Sequence, residues 1–285
     1  MTVRRTLPQR QRSLIGAWCF LDHYGPDDVD ASGGMVVPPH PHTGLQTVSW
    51  LFTGEIEHRD SAGHHATVRP GELNLMTAGR GISHSEYSTP GTTTLHGAQL
   101  WLALPDGDRQ VDPTFEHYAP APVAGEGWAA RVFLGSLLGS TSPVRTYTPL
   151  LGAELVLEAD ATLTVPVDPA YELGVLVDRG SLAVDGKPVA AHELGFVAPG
   201  QQSLELTALD PTRFLLLGGP PFGEQIVMWW NYIGRDHDEV VAYRAEWEAL
   251  LETGAGDRFQ LPEGDPLEPL HSPPLPNARM VRRGP

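Results

Sequence analysis

The sequence predicts an all-β protein built from two related antiparallel β-barrels, followed by a short helix and an extended tail. Glycine (31) and proline (27) make up about a fifth of the 285 residues, against about 12% in average composition. Because 41% of the residues are hydrophobic, the chain can still bury a core. The composition therefore indicates many short strands joined by tight turns, and it disfavours a helical bundle.

The strands are predicted from runs of β-branched and aromatic residues that end at glycine, proline or aspartate. They form two sets, the first at 45–52, 66–76 and 93–104, and the second at 153–165, 173–184, 193–198 and 203–208. A proline- and alanine-rich stretch at 119–127 separates the sets and is the best linker candidate. We therefore predict two domains, residues 1–122 and residues 123–285.

The two sets resemble a repeat. Gly71–Gly79 and His192–Gly200 share a Glu-Leu pair, an apolar run and a small residue before the final glycine. Duplicated antiparallel units of this length suggest two barrels of the jelly-roll type. The alternative is that any two hairpins in a β-protein look alike.

One helix is predicted at about 237–252. Asp236 and Glu239 form an Asp-x-x-Glu variant of the capping box, apolar residues recur at helical spacing from Val240 to Leu251, and Gly254 provides a stop. The tail from 257 to 285 is rich in proline. It is either disordered or docked as an extended strap.

The charge balance excludes several classes of partner. The chain has 35 acidic and 19 basic residues, a net charge of -16, so it lacks the excess of cations that binds phosphates or an anionic membrane. No apolar run approaches the roughly 20 residues of a spanning helix. The single cysteine, Cys19, fits a reducing compartment. We expect a cytoplasmic protein without direct contact to nucleic acid or membrane.

The residues that indicate chemistry are His40-Pro41-His42 and His84-Ser85-Glu86. Residues i and i+2 of a strand point to the same face, so each pair aims its side chains in one direction. If the strands face each other across a small barrel, three imidazoles and one carboxylate converge. Such a set suits a divalent first-row metal, and it leaves open positions of the kind that a catalytic metal needs.

The second half lacks an equivalent set. The repeat places Pro166, Asp168, Glu205 and Thr207 at the positions of the four ligands, and no histidine is among them. By this scheme the second barrel holds no metal.

At these residues the sequence resembles the pirin family of the cupin superfamily. The resemblance rests on Pro39–Gly44, on Leu45–Trp50, and above all on Met76-Thr-Ala-Gly-Arg-Gly81 followed by His84 and Glu86, a run specific to this family. It is strong over about residues 15–120 and weaker, though continuous, through the second half.

The resemblance implies a bicupin fold, in which two β-barrels pack face to face. It also implies one divalent metal, usually iron, in the N-terminal barrel only, with His40, His42, His84 and Glu86 as ligands. Manganese, nickel, cobalt, copper and zinc accept the same donor types. One departure is Gln46, which stands where ordinary cupins and many pirins have glutamate. It is expected to change the hydrogen bonds around the metal rather than to remove it.

The family resemblance leaves the function open, because some pirin-like proteins open flavonol rings with dioxygen and others are described as regulators. Our first hypothesis is a quercetinase-like dioxygenase acting on a flavonol or a similar enol, with Glu86 as the catalytic proton acceptor. The alternative is a non-enzymatic, redox-responsive metal-binding regulator that acts through a protein partner. A relict barrel with low promiscuous activity is the third possibility.

Four further residues receive weaker interpretations. Arg80 either orients an anionic substrate or forms a structural ion pair. His58 could line the barrel, but we assign it no role. His64 and His65 follow Gly63, and we expect them at an exposed hairpin tip.

Overall fold

The computed structural model describes residues 1–284, which divide into two compact units. Unit 1 comprises Met1–Val3, Tyr24–His117 and the chain from Gly223 onward, and unit 2 comprises Arg4–His23 and Tyr118–Phe222. The helix and tail, which the sequence-based division places in the second domain, are therefore grouped with unit 1.

Strands dominate both halves, which confirms the predicted all-β class. The strands of the first half are β1 (Val3–Leu7), β2 (Trp18–Asp28), β3 (Val36–His42), β4 (Leu45–Thr53), β5 (Ile56–Asp60), β6 (His65–Val68), β7 (Leu73–Thr77), β8 (Ile82–Ser88), β9 (Thr94–Ala103) and β10 (Thr114–Tyr118). The helical turn α1 (Val29–Ser32) lies between β2 and β3.

The second half has more and shorter strands. They are β11 (Val123–Gly125), β12 (Trp128–Leu134), β13 (Ser136–Leu137), β14 (Ser140–Thr141), β15 (Leu151–Leu157), β16 (Thr162–Pro166), β17 (Glu172–Arg179), β18 (Leu182–Val184), β19 (Lys187–Val189), β20 (Leu194–Val197), β21 (Ser203–Ala208) and β22 (Thr212–Gly219). The hairpin β23 (Val227–Trp229) and β24 (Tyr232–Gly234) then precedes α2 (His237–Thr253). Within residues 1–284, no helix has the length and apolar character needed to cross a membrane.

Three predicted strands are each divided in two by a tight turn. The run predicted at 66–76 breaks at Gly71 (φ 71°), the run at 153–165 breaks at Asp160 (φ 61°), and the run at 173–184 breaks at Gly180 (φ 84°). A residue in this left-handed region ends strand pairing. The prediction of single long strands at these places was wrong because each run contains a residue that adopts the left-handed conformation and forms a turn.

Besides the β23–β24 hairpin, unit 1 contains two sheets. In the larger one, β2, β9, β4, β7 and β10 are neighbours in that order, and the smaller has the order β3-β8-β5-β6 with antiparallel pairing. An apolar cluster that includes Tyr24, Leu51, Ile56 and Leu95 draws residues from both sheets. This cluster fills only part of the interior, and many other buried positions of the small sheet, such as His40, His84 and Glu86, carry polar side chains.

Unit 2 repeats the plan with an apolar interior. Its larger sheet has the order β11-β12-β15-β22-β17-β20, and its smaller sheet has the order β16-β21-β18-β19. Leu163 and Val165 of β16 and Leu204 and Leu206 of β21 are buried in a core shared by both sheets. The repeat matches Pro166, Asp168, Glu205 and Thr207 to the four predicted metal ligands. Of these, Pro166, Asp168 and Glu205 are exposed and do not belong to this core.

Helix α2 begins and ends as the sequence predicts. Asp236 is the N-cap and accepts a hydrogen bond from the Glu239 backbone N–H, and Gly254 (φ 72°) is the C-cap. The side chain of Glu239 accepts from the Arg235 N–H, so the capping interaction reaches one residue further back than in the standard box. The buried face of the helix, which includes Trp247, packs with the β23–β24 hairpin.

The chain after the helix is extended and follows the outer face of the small sheet of unit 1. We call residues 258–270 the C-terminal strap. Phe259 is buried against α2, and Leu270 N–H donates to the Pro39 carbonyl at 2.8 Å. Leu261 and Leu267 are exposed, so the strap is held mainly by polar contacts rather than by its leucines.

Candidate metal centre

The predicted ligands lie on two neighbouring antiparallel strands, β3 and β8. His40 is directly opposite His84 in the register. The register shifts between Val37 and His40, where Pro38 and Pro39 stand. Because proline has no N–H to donate, it is tolerated at such an irregularity without losing a ladder hydrogen bond.

Three imidazoles converge at this place. The candidate ligand atoms of His40, His42 and His84 all lie within 4.8 Å of one another, and the Nε2 atoms of His42 and His84 are 3.1 Å apart. All three side chains are buried. A single cation could therefore reach a nitrogen of each.

Glu86 belongs to a second group that shares His84. The candidate ligand atoms of His58, His84 and Glu86 also lie within 4.8 Å of one another. Glu86 is buried, and the Ser49 hydroxyl donates to its Oε1 at 3.1 Å. The four predicted ligands are thus linked through His84, with His58 as an additional member.

Burial has opposite effects on the pKa values of these groups. It lowers the pKa of His42 and His84 well below the usual value and lowers that of His40 to about 4, so the imidazoles are neutral near pH 7. Burial raises the pKa of Glu86, although the Ser49 hydrogen bond acts in the other direction. Neutral imidazoles present lone pairs, as a metal requires.

This donor set fits a divalent first-row metal. Imidazole nitrogen and carboxylate oxygen are accepted by iron, manganese, cobalt, nickel, copper and zinc alike. A cation would also offset the cost of burying the Glu86 carboxylate. His40, His42 and His84 form one group that could hold an ion, and His58, His84 and Glu86 form a second.

His58 is the residue that sequence reasoning left without a role. In β5 it lies directly opposite Glu86, and Asp60 lies directly opposite His84. The signal was present as the spacing His58-x-Asp60, which matches the i, i+2 spacing of the two recognised pairs. It could not be used without knowing that β5 pairs with β8.

Gln46 lies away from the candidate ligands. Its side chain donates to Thr77 Oγ1 at 2.9 Å in the continuous register between β4 and β7. Since side chains alternate along a strand, Gln46 and Ser49 point to opposite faces, and Ser49 is the one that contacts Glu86. The expected effect of Gln46 on hydrogen bonds around the metal therefore has no direct contact to support it.

Arg80 forms the structural ion pair that the sequence left as one of two readings. Its Nε donates to Asp112 Oδ1 at 3.0 Å, and both side chains are exposed. At the hairpin tip His65 is exposed and pairs with Glu57, whereas His64 is held by Asp60.

A duplicated all-β chain with a buried histidine cluster in its first half falls in the class of two-barrel cupin proteins. The family model described as Pirin matches residues 1–102, and the one described as Pirin C-terminal cupin domain matches residues 152–251. The chain belongs to the pirin family.

The most informative relatives share nearly the whole chain. A Pseudomonas aeruginosa protein named "putative quercetin 2,3-dioxygenase" is 45% identical over 97% of this chain and 86% of its own length. A Caulobacter vibrioides pirin-like protein is 35% identical, covering 92% of this chain and 94% of that one.

Solved structures agree with the fold. A crystal structure of quercetin 2,3-dioxygenase from Acinetobacter baumannii is 39% identical with a TM-score of 0.91, covering 98% of this chain and 92% of that chain. The bacterial pirin YhhW from Escherichia coli, solved in complex with nickel(II), is 21% identical with a TM-score of 0.61, covering 77% and 91% respectively, and it supports the fold alone.

Proposed function

We propose that this chain is a metal-dependent dioxygenase that opens a flavonol such as quercetin, or a related enolic substrate. The observation that carries the proposal is the buried group of neutral imidazoles at His40, His42 and His84, with Glu86 beside His84. The names of the Pseudomonas and Acinetobacter relatives supply the substrate class. The single cysteine fits a reducing compartment, so we place the reaction in the cytoplasm.

The proposed ligands are His40, His42, His84 and Glu86, and iron is the proposed metal. The metal would supply Lewis acidity and redox capacity at this point. The protein fixes the donors: the Pro38 carbonyl accepts from His40 Nδ1 at 2.9 Å, which leaves Nε2 of His40 available. The Trp101 ring meets His42 edge to face with centroids 5.2 Å apart and limits how that imidazole can turn.

Glu86 is the proposed proton acceptor for the enolic hydroxyl. Burial raises the pKa of the Glu86 carboxyl in the metal-free protein, and as one of the four proposed ligands this carboxylate would lie within reach of a substrate hydroxyl at the same centre. The Ser49 hydroxyl orients the carboxylate by donating to Oε1, which leaves Oε2 to receive the proton. The site is buried, so water competes little for this proton.

The test is oxygen consumption by purified protein loaded anaerobically with iron(II) and supplied with quercetin. Glu86→Gln should lower the rate by at least about 100-fold, because it removes the general base, while the far-UV spectrum and unfolding temperature of the apo protein stay close to wild type. The exposed Glu263→Gln is the matched control and should keep the rate. Metal content is measured on each sample.

Wild-type protein that contains metal yet consumes no oxygen with any flavonol or enol tested would contradict the proposal. The alternative, a metal-binding regulator that acts through a protein partner, is tested separately. Partner capture from a lysate should differ between the apo and the metal-loaded protein, and identical capture by both would contradict that alternative.

A further inference from the structure

The imidazoles of the candidate centre differ in what their second nitrogen contacts. A metal-binding histidine usually donates its other N–H to a carbonyl, carboxylate or water, and this hydrogen bond fixes which nitrogen is free for the ion. His40 follows the rule, since its Nδ1 donates to the Pro38 carbonyl. His84 does not, because its Nδ1 lies 3.3 Å from Nδ1 of His58.

The contact of the other His58 nitrogen, Nε2, determines which of the two Nδ1 atoms donates the hydrogen bond between His58 and His84. Nε2 of His58 lies 3.3 Å from Oδ2 of Asp60. An ionised carboxylate can only accept, so Nε2 of His58 carries a proton, and in the neutral imidazole Nδ1 is then an acceptor. His84 must then carry its proton on Nδ1, which leaves its Nε2 bare and directed at His42.

Asp60 is held as a carboxylate acceptor by further donors. Its Oδ1 accepts from the backbone N–H groups of Ala62 and His64, at 2.9 and 3.0 Å. The backbone of the turn after β5 thus stabilises the ionised carboxylate of Asp60.

The backbone and an aromatic ring fix the position of His58. The register of β5 and β8 places His58 opposite Glu86 and Asp60 opposite His84, so the contacts run between paired strands. Phe115 packs on the His58 ring with centroids 4.8 Å apart. His58 is 3% exposed, so no bulk water competes for its nitrogens.

We propose that Asp60 and His58 are positioning residues for the metal centre: Asp60 selects the tautomer of His58, and His58 selects the tautomer of His84 that presents Nε2 to the ion. The inference rests on the proposed function in one respect, namely that His84 is a ligand. The tautomer relation itself exists in the apo protein and can be measured there.

The first variant is Asp60→Asn, which preserves shape. The amide oxygen can still accept from Ala62 and His64, but the amide NH₂ group would face His58 Nε2 and make that nitrogen an acceptor. His58 would then carry its proton on Nδ1, and His84 would shift its proton to Nε2. An exchange of carboxylate for amide is known to select the wrong histidine tautomer in this way while leaving geometry intact.

Two measurements follow. In apo protein labelled with ¹⁵N-histidine, the His84 ring should change from the Nδ1–H to the Nε2–H tautomer in Asp60→Asn, with resonances assigned by single histidine substitutions. The affinity for cobalt(II), measured by competition with a chelator, should fall by about 10- to 100-fold. His117→Asn is the control, because His117 forms an exposed pair with Glu72 and should change neither measurement.

A second pair of variants separates positioning from ligation and does not depend on Asp60→Asn folding. His58→Gln keeps an oxygen that can accept from His84 Nδ1, so its cobalt(II) affinity should stay within a few-fold of wild type. His58→Leu removes the acceptor and should weaken binding by about 10- to 100-fold, with one ion still bound.

The outcomes are distinguishable from failure of the proposed function. If wild-type protein binds no cobalt(II), the metal centre is wrong, and the apo tautomer measurement still decides the inference. An unchanged His84 tautomer in Asp60→Asn overturns it. It is also overturned if both His58 variants lose the ion and pulsed EPR of the copper(II) form counts one histidine fewer, because His58 would then be a ligand.

Discussion

At the scale of single residues, the candidate centre depends on burying groups whose ordinary pKa values lie close to neutrality. An exposed histidine has a pKa near 6.5, so protons compete with metal for it at mildly acidic pH. Burial lowers the pKa of His42 and His84 well below that value and brings His40 to about 4. Desolvation disfavours the protonated imidazoles and therefore keeps their nitrogen lone pairs available to a metal.

This shift predicts a weak pH dependence of metal binding. Between about pH 7.5 and pH 5.5 the imidazoles of His40, His42 and His84 stay neutral, and among the four predicted ligands only Glu86 has a raised pKa. The slope of log affinity against pH should therefore stay at or below about one, where three ordinary histidines would give a steeper dependence below pH 6.5.

The measurement is competition against a chelator of known pH dependence, repeated at half-unit intervals. An affinity that falls by two or more orders of magnitude per pH unit within this range would show that the imidazoles titrate normally. The exposed His117→Asn variant should leave the profile unchanged.

At the scale of elements, β8 has two faces with different tasks. Its inward side chains include His84 and Glu86, whereas its outward side chains contact the C-terminal strap. The Ser83 hydroxyl donates to the Gln260 carbonyl, and Asp265 accepts from both the Ser85 hydroxyl and the Tyr87 hydroxyl. The strap therefore stabilises the strand that carries two of the four predicted ligands.

Asp265→Ala should destabilise the protein by about 1–3 kcal/mol, because it leaves the hydroxyls of Ser85 and Tyr87 without their acceptor. Asp238→Ala is the matched control, since the Asp238–Arg279 pair is exposed on both sides and should contribute less than about 1 kcal/mol. Urea unfolding of both apo variants makes the comparison. Equal losses in the two variants would mean that the strap contacts add nothing beyond a surface ion pair.

At the scale of the whole molecule, the two units use one architecture with different interiors. The core of unit 2 is filled by apolar side chains such as Val175, Phe214 and Leu216. In unit 1 part of the interior is given to the histidine cluster, which contributes less hydrophobic stabilisation than the same volume of leucine or valine. Metal binding would compensate for that deficit.

Metal should accordingly raise the unfolding temperature. An ion present at about 100 times its dissociation constant adds about 2.7 kcal/mol, which corresponds to roughly 5–10 °C for a domain of this size. Scanning calorimetry of apo protein with and without nickel(II) is the measurement. Magnesium is the control, since it prefers oxygen ligands and should cause no shift. Identical transitions with nickel(II) and with chelator would contradict a metal site that is coupled to folding.

Local sequence information predicted the fold class, the helix and the two i, i+2 pairs His40–His42 and His84–Glu86, because each depends on spacing along one strand or helix. It assumed that the two pairs face each other across a barrel, whereas β3 and β8 are neighbours in one sheet. It could not predict contacts that depend on which strands are neighbours in a sheet. His58 and Asp60 became visible only through the pairing of β5 with β8, and the strap only through contacts with residues far away in the chain. Turns such as that at Asp160 were missed because a single left-handed residue leaves no mark on the hydrophobic pattern.

The strap also has a consequence for the order in which the site is completed during synthesis. Asp265 follows Ser85 by 180 positions, so the outer face of β8 remains uncovered while those residues are made. At roughly 5–20 residues per second, this interval is on the order of ten seconds or more. For that time the nascent chain already carries all four predicted ligands, on β3 and β8, while the outer face of β8 still lacks its contacts with the strap.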